Sequence, residues 1–336
     1  MREISVSGNE AGQRLDKLLR KYLREAGSGF LYRMLRKKNI VLNDRKADGR
    51  ELLREGDSVK LYFSEETLTK LTGEAAPETY FSGADFLRLE EELRQRILYE
   101  DEGLLLLNKP AGWVSQSDGS GAPSVNELCL DYLLKEGKLS RAQLATFKPG
   151  IANRLDRNTS GLILFGKTLP VLQELAAGLR ERSLQKYYLA VVSGIVEEGS
   201  LLHGYLRKDA AGNQVEIRTD CFPGAAEIHT EYTPLRQCRA KDAAAQYSVL
   251  RVHLISGKTH QIRAHLASVG HPILGDGKYG QPRRNEYWRR RAGIHSQLLH
   301  AYELRFPVLP ESAALAACSA RRFFAEPPEV FRTFLP

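Results

Sequence analysis

The sequence predicts an α+β protein built in two unequal parts. Two observations agree with this reading. Leu15, Leu18, Leu19, Tyr22 and Leu23 recur at helical spacing near the start of the chain, whereas the rest holds extended apolar runs at 97–107, 162–166, 187–193 and 247–255. Charge divides the 336 residues in the same way: residues 1–62 hold 15 lysines and arginines against nine acids, residues 63–92 hold two against eight, and the remainder is again basic. We read a small basic unit at 1–62, an acidic linker at 63–92 and a large basic unit at 93–336. The linker assignment rests on Thr, Gly, Pro and Glu content with little periodicity.

The small unit is well patterned. Asp16, Lys17, Arg20, Lys21 and Arg24 fall largely off the apolar stripe of the first helix. Gly27, Ser28 and Gly29 interrupt it, and Ser28 is a candidate N-cap for a second helix from about Phe30 to Lys38. There Leu31 and Leu35 can face a core, while Arg33, Arg36 and Lys37 share another face. A charged helix face is usually only solvated. Four basic residues from Arg33 to Lys38 with no acid among them exceed what solubility requires, so we expect this face to meet phosphates. An apolar IVL at 40–42, turn signals at Asn43-Asp44 and Ala47-Asp48-Gly49, and a strand VKLYF at 59–63 complete the unit.

Bulk composition excludes several classes. The longest apolar runs, such as LLLL at 104–107, fall far short of the roughly 20 residues a membrane span needs, and MREISVSGNE has no apolar signal core. We expect a cytoplasmic protein, acting as a monomer, with no membrane partner. Cys129, Cys221, Cys238 and Cys318 are not paired at CxxC spacing, and His260 and His265 stand five residues apart rather than four, so no metal site is expected. The net charge of +8 suits a polyanionic partner.

Four segments of the large unit carry candidate chemistry. ILYEDEGLLLLNKPAGWVSQ at 97–116 reads as a strand hairpin, in which Lys109 either meets a phosphate or braces a loop. GIANRLDRNTSGLILFGKT at 150–168 places a polar turn at Asp156 before an apolar strand. By composition alone Asp156 reads first as a turn carboxylate that bonds local backbone N–H groups and only second as a catalytic one. Gly161 to Thr168 also satisfies the pattern G-x-x-x-x-G-K-[ST], but Leu, Ile, Leu and Phe inside it demand a buried strand, not a flexible phosphate cradle. LQKYYLAVVSG at 184–194 is strand-like, and Tyr188 in it is either sheet filler or a ring on which a base stacks. VHLISGKTHQIRAHLASVGHPILGDGKYG at 252–280 leads from a strand through a turn into a helix carrying His260, Gln261, Ile262 and Arg263. Arg263 can hold a carboxylate bidentately.

RLDKLLRKYL, FLYRMLRKKNIVLND and LREGDSVKLYF together resemble the alpha-L RNA-binding domain, a module shared by a ribosomal protein and several RNA-modifying enzymes. The later segments, in their order, resemble the RluA family of pseudouridine synthases. RLDRNTSGL matches that family's R-L-D-x-x-T-S-G-L, and GKTHQIRAHL with GHPILGDGKYG and LLHAYELRFP match its later motifs. The subgroup most resembled is the RluC/RluD branch, whose members modify large-subunit ribosomal RNA. Asn153, Ser256, Lys258 and Gln116 depart from the usual His, Thr, Arg and His.

The resemblance implies a catalytic domain on a largely antiparallel mixed β-sheet flanked by helices. It implies that Asp156 is the nucleophile, Arg263 its orienting cation and Tyr188 the ring against the target base, assisting, more loosely, proton removal from ring carbon five. Arg154, Lys109, His260, Gln261 and Ile262 are the expected substrate contacts near the site, and Arg33, Arg36 and Lys37 the remote ones, joined by a cluster at Arg283, Arg284, Arg289, Arg290 and Arg291. A flexible linker would let the first unit reach RNA away from the cleft. No cofactor is expected, because the isomerisation is redox-neutral. The expected partner is RNA, ribosomal rather than transfer RNA. A non-catalytic RNA-binding or assembly factor is the alternative that the first unit alone would support. An aspartyl-phosphate hydrolase is disfavoured, because Asn158 occupies the second position of D-x-D.

Overall fold

The computed structural model describes residues 1–73, 84–119, 121–209 and 214–335. The chain opens with β1 (Arg2–Ser5), α1 (Leu15–Tyr22), α2 (Ser28–Arg36), β2 (Ile40–Leu42), β3 (Arg45–Lys46) and β4 (Ser58–Leu61). These four strands form an antiparallel sheet in the order β1-β4-β2-β3. Asn43 and Asp44 both take positive φ, the requirement of a two-residue hairpin turn, and so close β2 onto β3. Leu15, Leu18, Leu19, Leu31 and Leu35 bury against Ile40, Val59 and Leu61. Each such side chain contributes about 1.5–3 kcal/mol of burial. Gly27, not Ser28, is the N-cap of α2; Ser28 is the first helical residue and makes no cap hydrogen bond.

The acidic segment is more ordered than its composition suggested. α3 (Glu65–Thr72) is capped by Ser64, whose hydroxyl accepts from the Thr67 N–H at 3.2 Å, and Leu68 joins the core of the first unit. α4 (Ala84–Gln95) buries Leu93 in the core of the second unit. Sparse leucines at helical spacing, Leu68 with Leu71 and Leu89 with Leu93, suffice because each has a preformed core to enter. The middle of the expected linker, residues 74–83, lies outside the described residues.

The second unit continues with β5 (Ile97–Glu100), β6 (Leu104–Lys109), α5 (Val125–Lys135), α6 (Arg141–Thr146), β7 (Gly150–Ile151), β8 (Ser160–Gly166), α7 (Leu169–Arg180), β9 (Gln185–Ser193), β10 (Ser200–Lys208) and β11 (Val215–Arg218). It ends with β12 (Ala226–Cys238), β13 (Tyr247–Leu254), α8 (Gln261–Ser268), α9 (Pro282–Ala292), β14 (Leu299–Arg305) and β15 (Arg322–Phe324). One sheet runs β11-β10-β12-β13-β9-β14-β8-β6-β5, with β15 on β14 and β7 on β8. Every pairing is antiparallel except β14 with β8, so the sheet is mixed and largely antiparallel, as expected.

β6 and β8 read as unbroken apolar runs because both their faces are covered. Leu105, Leu107, Ile163 and Phe165 enter one core with α5, while Leu104, Leu106, Leu162 and Leu164 enter another with Val171 and Leu175 of α7. This strand assignment removes the phosphate-loop pattern at Gly161–Thr168. Gly161 itself is required: φ is +116°, and a Cβ there would lie 2.2 Å from the Ala301 carbonyl oxygen.

The two units touch. α1 lies against α6, Lys21 sits 5.7 Å from the Phe147 ring centroid, and the Thr146 hydroxyl donates to Glu10 Oε1 at 2.6 Å in a buried contact. The expectation of a first unit held away from the cleft by a loose tether gives way to a docked one.

Candidate active site

A cleft of about 1000 Å³ opens where the turn before β8, strand β9 and the start of α8 converge, with Asp156 in its wall. The Asp156 turn is fixed from several sides. The Thr159 N–H donates to the Asp156 carbonyl at 3.0 Å, and Gln297 reaches the Thr159 hydroxyl at 3.3 Å. The buried Ser115 hydroxyl donates to the Leu155 carbonyl at 2.7 Å and accepts from the Leu155 N–H at 3.0 Å. Asn153 donates to the Leu162 carbonyl at 3.1 Å and accepts from the Leu164 N–H at 2.8 Å, so its amide acts as one more rung of the β8 ladder. That is its structural work in this chain.

Arg263 lies on the first turn of α8, 5% exposed. Its Nη1 donates to Asp156 Oδ2 at 2.8 Å, while Nε and Nη2 donate to Asp276 at 2.7 and 2.9 Å. Burial alone would favour a neutral guanidine; Asp276, and then Asp156, overcome it and hold Arg263 firmly charged. Asp276 is fully buried, and burial opposes its charge too. Arg263 and the N–H groups of Lys278 and Tyr279 more than compensate, keeping its pKa below the ordinary carboxylate value. Asp276 thus aims Arg263, and Arg263 holds one oxygen of Asp156. Asp156 lines the cleft, and its Oδ1 makes no hydrogen bond among the described residues.

His260 is the N-cap of α8 with φ of +55°, a left-handed conformation that turns its ring toward Asp156. Its Nε2 stands 3.8 Å from Asp156 Oδ2, and its Nδ1 lies 3.0 Å from the Tyr279 hydroxyl. The Val215 N–H donates to that same hydroxyl oxygen at 3.0 Å. We assign the phenol proton to His260 Nδ1, which leaves the imidazole proton on Nε2, facing the nucleophile. Burial lowers the pKa of His260 despite the pull of Asp156, so the ring is neutral near pH 7.

Tyr188 lines the inner cleft with Leu254, Ile262 and Leu299. Burial, and then Asp156, push its pKa well above the ordinary phenol value. A phenol held protonated in this way offers the inner cleft an apolar face and a hydrogen-bond donor.

Three expected substrate contacts have other work. Lys109 is 1% exposed, and its ammonium donates to the carbonyls of Pro110, Trp113 and Arg157 at 2.8–2.9 Å. Burial draws its pKa down to about 7 against the pull of Asp156, yet three acceptors match the three protons of a charged ammonium. Lys109 braces the loop beside Asp156, so of the two sequence readings the bracing one holds and the phosphate one does not. Gln261 is buried, donating to the His229 carbonyl and the Thr230 hydroxyl and accepting from the Lys258 N–H. Ile262 is core, with one edge on the cleft.

Arg154 is exposed on the cleft wall and makes no ion pair among the described residues. Lys186 and Lys258, which the sequence reading did not select as contacts, line the same wall, where Asp118 and Asp156 are the only acids among the described residues. The carboxylate behind Arg263 was also missed, although Asp276 stands in the quoted GDGKYG. The signal available was chemical: an arginine aimed at one carboxylate needs a second to hold its other edge. Arg33, Arg36 and Lys37 are exposed on α2 with no acid partner among the described residues. In α9, Arg289 and Arg290 are engaged by Glu286, which leaves Arg283, Arg284 and Arg291 without an ion pair among the described residues, and Arg284 donates to the Gln246 carbonyl at 3.4 Å. The one group of described residues with metal-ligand spacing is His203, Glu227 and His229, on the other face of the sheet. No described helix is long and apolar enough to cross a membrane.

Comparison with known proteins agrees with this geometry. A family model described as RNA pseudouridylate synthase matches residues 103–268. The ribosomal large subunit pseudouridine synthase C of Vibrio vulnificus (strain CMCP6) is 31% identical over 304 residues, covering 90% of this chain and 87% of that protein. The protein of the same name from Escherichia coli (strain K12) is 30% identical over 313 residues, covering 90% and 88%. The solved structure of human RNA pseudouridylate synthase domain containing 4 superposes with a TM-score of 0.57 at 18% identity, covering 74% of this chain and 94% of that one, a likeness of fold. Across both units, then, the chain is a member of the RNA pseudouridylate synthase family, enzymes that isomerise uridine to pseudouridine in RNA.

Proposed function

We propose that this enzyme isomerises a chosen uridine of large-subunit ribosomal RNA, with Asp156 as the nucleophile. The observation that carries the reading is the Asp276–Arg263–Asp156 chain, which holds one oxygen of a half-buried carboxylate against the Arg263 guanidinium and leaves the other without a hydrogen bond among the described residues of the cleft wall. The two similar proteins named for the large ribosomal subunit favour that RNA over transfer RNA.

The chemistry follows from the residues. The target nucleotide leaves its stack, which costs a few kcal/mol. Stacking on the Tyr188 ring returns about 1–3 kcal/mol, and Leu254 and Leu299 offer apolar surface beside it. Asp156 Oδ1 bonds to the nucleotide, the N1–C1′ bond breaks, the base turns, C5 bonds to C1′, and the bond to Asp156 breaks to free the carboxylate. The proton on C5 leaves and N1 gains one, so atoms and electrons balance without a cofactor. Arg263 keeps the carboxylate aimed throughout, and the Nε2–H of His260 can donate to a carbonyl or hydroxyl oxygen of the nucleotide. Arg154, Lys186 and Lys258 on the cleft wall suit the flanking phosphates. Arg33, Arg36 and Lys37 suit a more distant helix of the RNA. The enzyme acts as a cytoplasmic monomer in this reading. The test is to map pseudouridines in ribosomal RNA from a strain lacking the gene. One large-subunit position should revert to uridine; an unchanged ribosomal map would move the substrate to another RNA.

A further inference from the structure

The sheet carries a second constellation on the face turned away from Asp156. Tyr188 pairs with Val252, and Leu254 pairs with Thr230, so these residues share the cleft face. Side chains alternate along β12, which puts His229 on the opposite face. His229 pairs directly with His203 of β10, and Glu227, two residues before His229, lies on that same face. Glu227 Oε1 is 2.9 Å from His203 Nε2 and 3.8 Å from His229 Nε2. Two imidazoles and one carboxylate thus converge, although 24 residues separate His203 from Glu227 in sequence.

We propose that His203, Glu227 and His229 form a divalent transition-metal site, and that zinc is the ion it takes. Metal bonds of about 2.0–2.1 Å in a tetrahedron set ligand atoms about 3.3–3.4 Å apart. The two measured separations straddle that value, and all three ligand atoms fall within 4.8 Å of one another. Two histidines with one carboxylate is a nitrogen-rich donor set suited to zinc and not to magnesium or calcium, and it leaves a fourth position for water. The His rings need only swing outward slightly, because the site is open to solvent. Arg182 lies near Glu227 and adds some repulsion toward a cation.

The site has a structural link to the cleft. The His229 N–H donates to the Ser256 hydroxyl at 2.8 Å, and its carbonyl accepts from Gln261 at 3.0 Å. The backbone of one metal ligand therefore braces the turn that carries Lys258 and His260. An ion here would stiffen that turn from behind.

Calorimetric titration of the full chain with zinc chloride, in a buffer that does not chelate, tests the proposal. One equivalent should bind saturably, and H203A and H229A should each weaken binding by about tenfold or more. E227Q, which is isosteric, should weaken it too, while H253A and C221S should leave it unchanged. Circular dichroism spectra separate a folding failure from lost binding, and zinc should raise the melting temperature of the wild type but not of H203A. Binding that does not saturate at one equivalent, or H203A and H229A that bind as the wild type does, would overturn the site.

Discussion

Arg263→Lys separates aim from charge. The guanidinium makes three hydrogen bonds to two carboxylates, through Nε and Nη2 to Asp276 and through Nη1 to Asp156. A lysine brings the same charge on a single nitrogen and cannot fork. Because Asp276 is fully buried and Asp156 is 26% exposed, the ammonium should stay with Asp276 and leave the nucleophile unheld. A charge-assisted hydrogen bond lost in this way is worth about 1.5–3 kcal/mol. Placed on the chemical step, that is a fall in kcat of about 10- to 150-fold. KM should barely move, because a side chain this buried offers RNA almost no surface. Asp276→Asn should behave differently. It leaves the buried Arg263 charge without its main partner, so about 3–5 kcal/mol of stability should be lost as well as rate. Single-turnover tritium release from transcripts labelled at uridine C5 gives the rates, and thermal melts give the stabilities. An R263K enzyme that melts normally and keeps kcat within about threefold of wild type would refute the argument that orientation through Arg263 limits the rate.

Other perturbations read other parts of the account. Lys109→Met leaves three buried carbonyls without a donor, at about 1–3 kcal/mol each, so chemical denaturation should show at least about 3 kcal/mol of lost stability. His300 accepts from the Ser160 hydroxyl and donates to the Ala325 carbonyl, and burial lowers its pKa from 6.5 to about 4. The unfolded chain therefore takes up this proton first as pH falls. The stabilisation is complete above pH 6.5 and is lost between 6.5 and about 4, by about 3 kcal/mol. His300→Gln should show a correspondingly smaller loss in denaturant melts across that interval. Replacing Arg33, Arg36 and Lys37 together by alanine should reduce the slope of log affinity against log salt by about two to three units if each meets a phosphate. An unchanged slope in filter binding would place the RNA anchor elsewhere. The substitutions are a cleaner probe than removing residues 1–62, which would also strip the surface of α6 that α1 covers.

The legible parts of this protein were those encoded locally. The stripe from Leu15 to Leu23, the Asn43-Asp44 turn and the runs that became β6, β8, β9 and β13 are statements about neighbours in sequence, and periodicity reads them. The Leu, Ile, Leu and Phe between Gly161 and Gly166 likewise argued a buried strand against a phosphate loop, and β8 is that strand. Asp156 and Arg263 were found by motif, and the structure joins them at 2.8 Å across 107 residues. Contacts that exist only after folding were not legible. Lys109 stayed open between a phosphate ligand and a loop brace because sequence does not show three carbonyls closing around it. The segment 63–92 looked like a tether because its few leucines pack on cores supplied by other elements. His203 and His229 meet only because β10 pairs with β12 in one register, and a one-residue slip would send them to opposite faces. The docking of Glu10 on Thr146 is of the same kind.

The central claim is that Asp156 performs the chemistry. Tritium release from ribosomal transcripts labelled at uridine C5 tests it most directly, comparing the wild type with Asp156→Asn, which keeps the shape and removes the nucleophile. The account predicts release by the wild type at one uridine and none above background by the variant, with both proteins folded and binding RNA with similar affinity. Release by Asp156→Asn at the wild-type rate would contradict it.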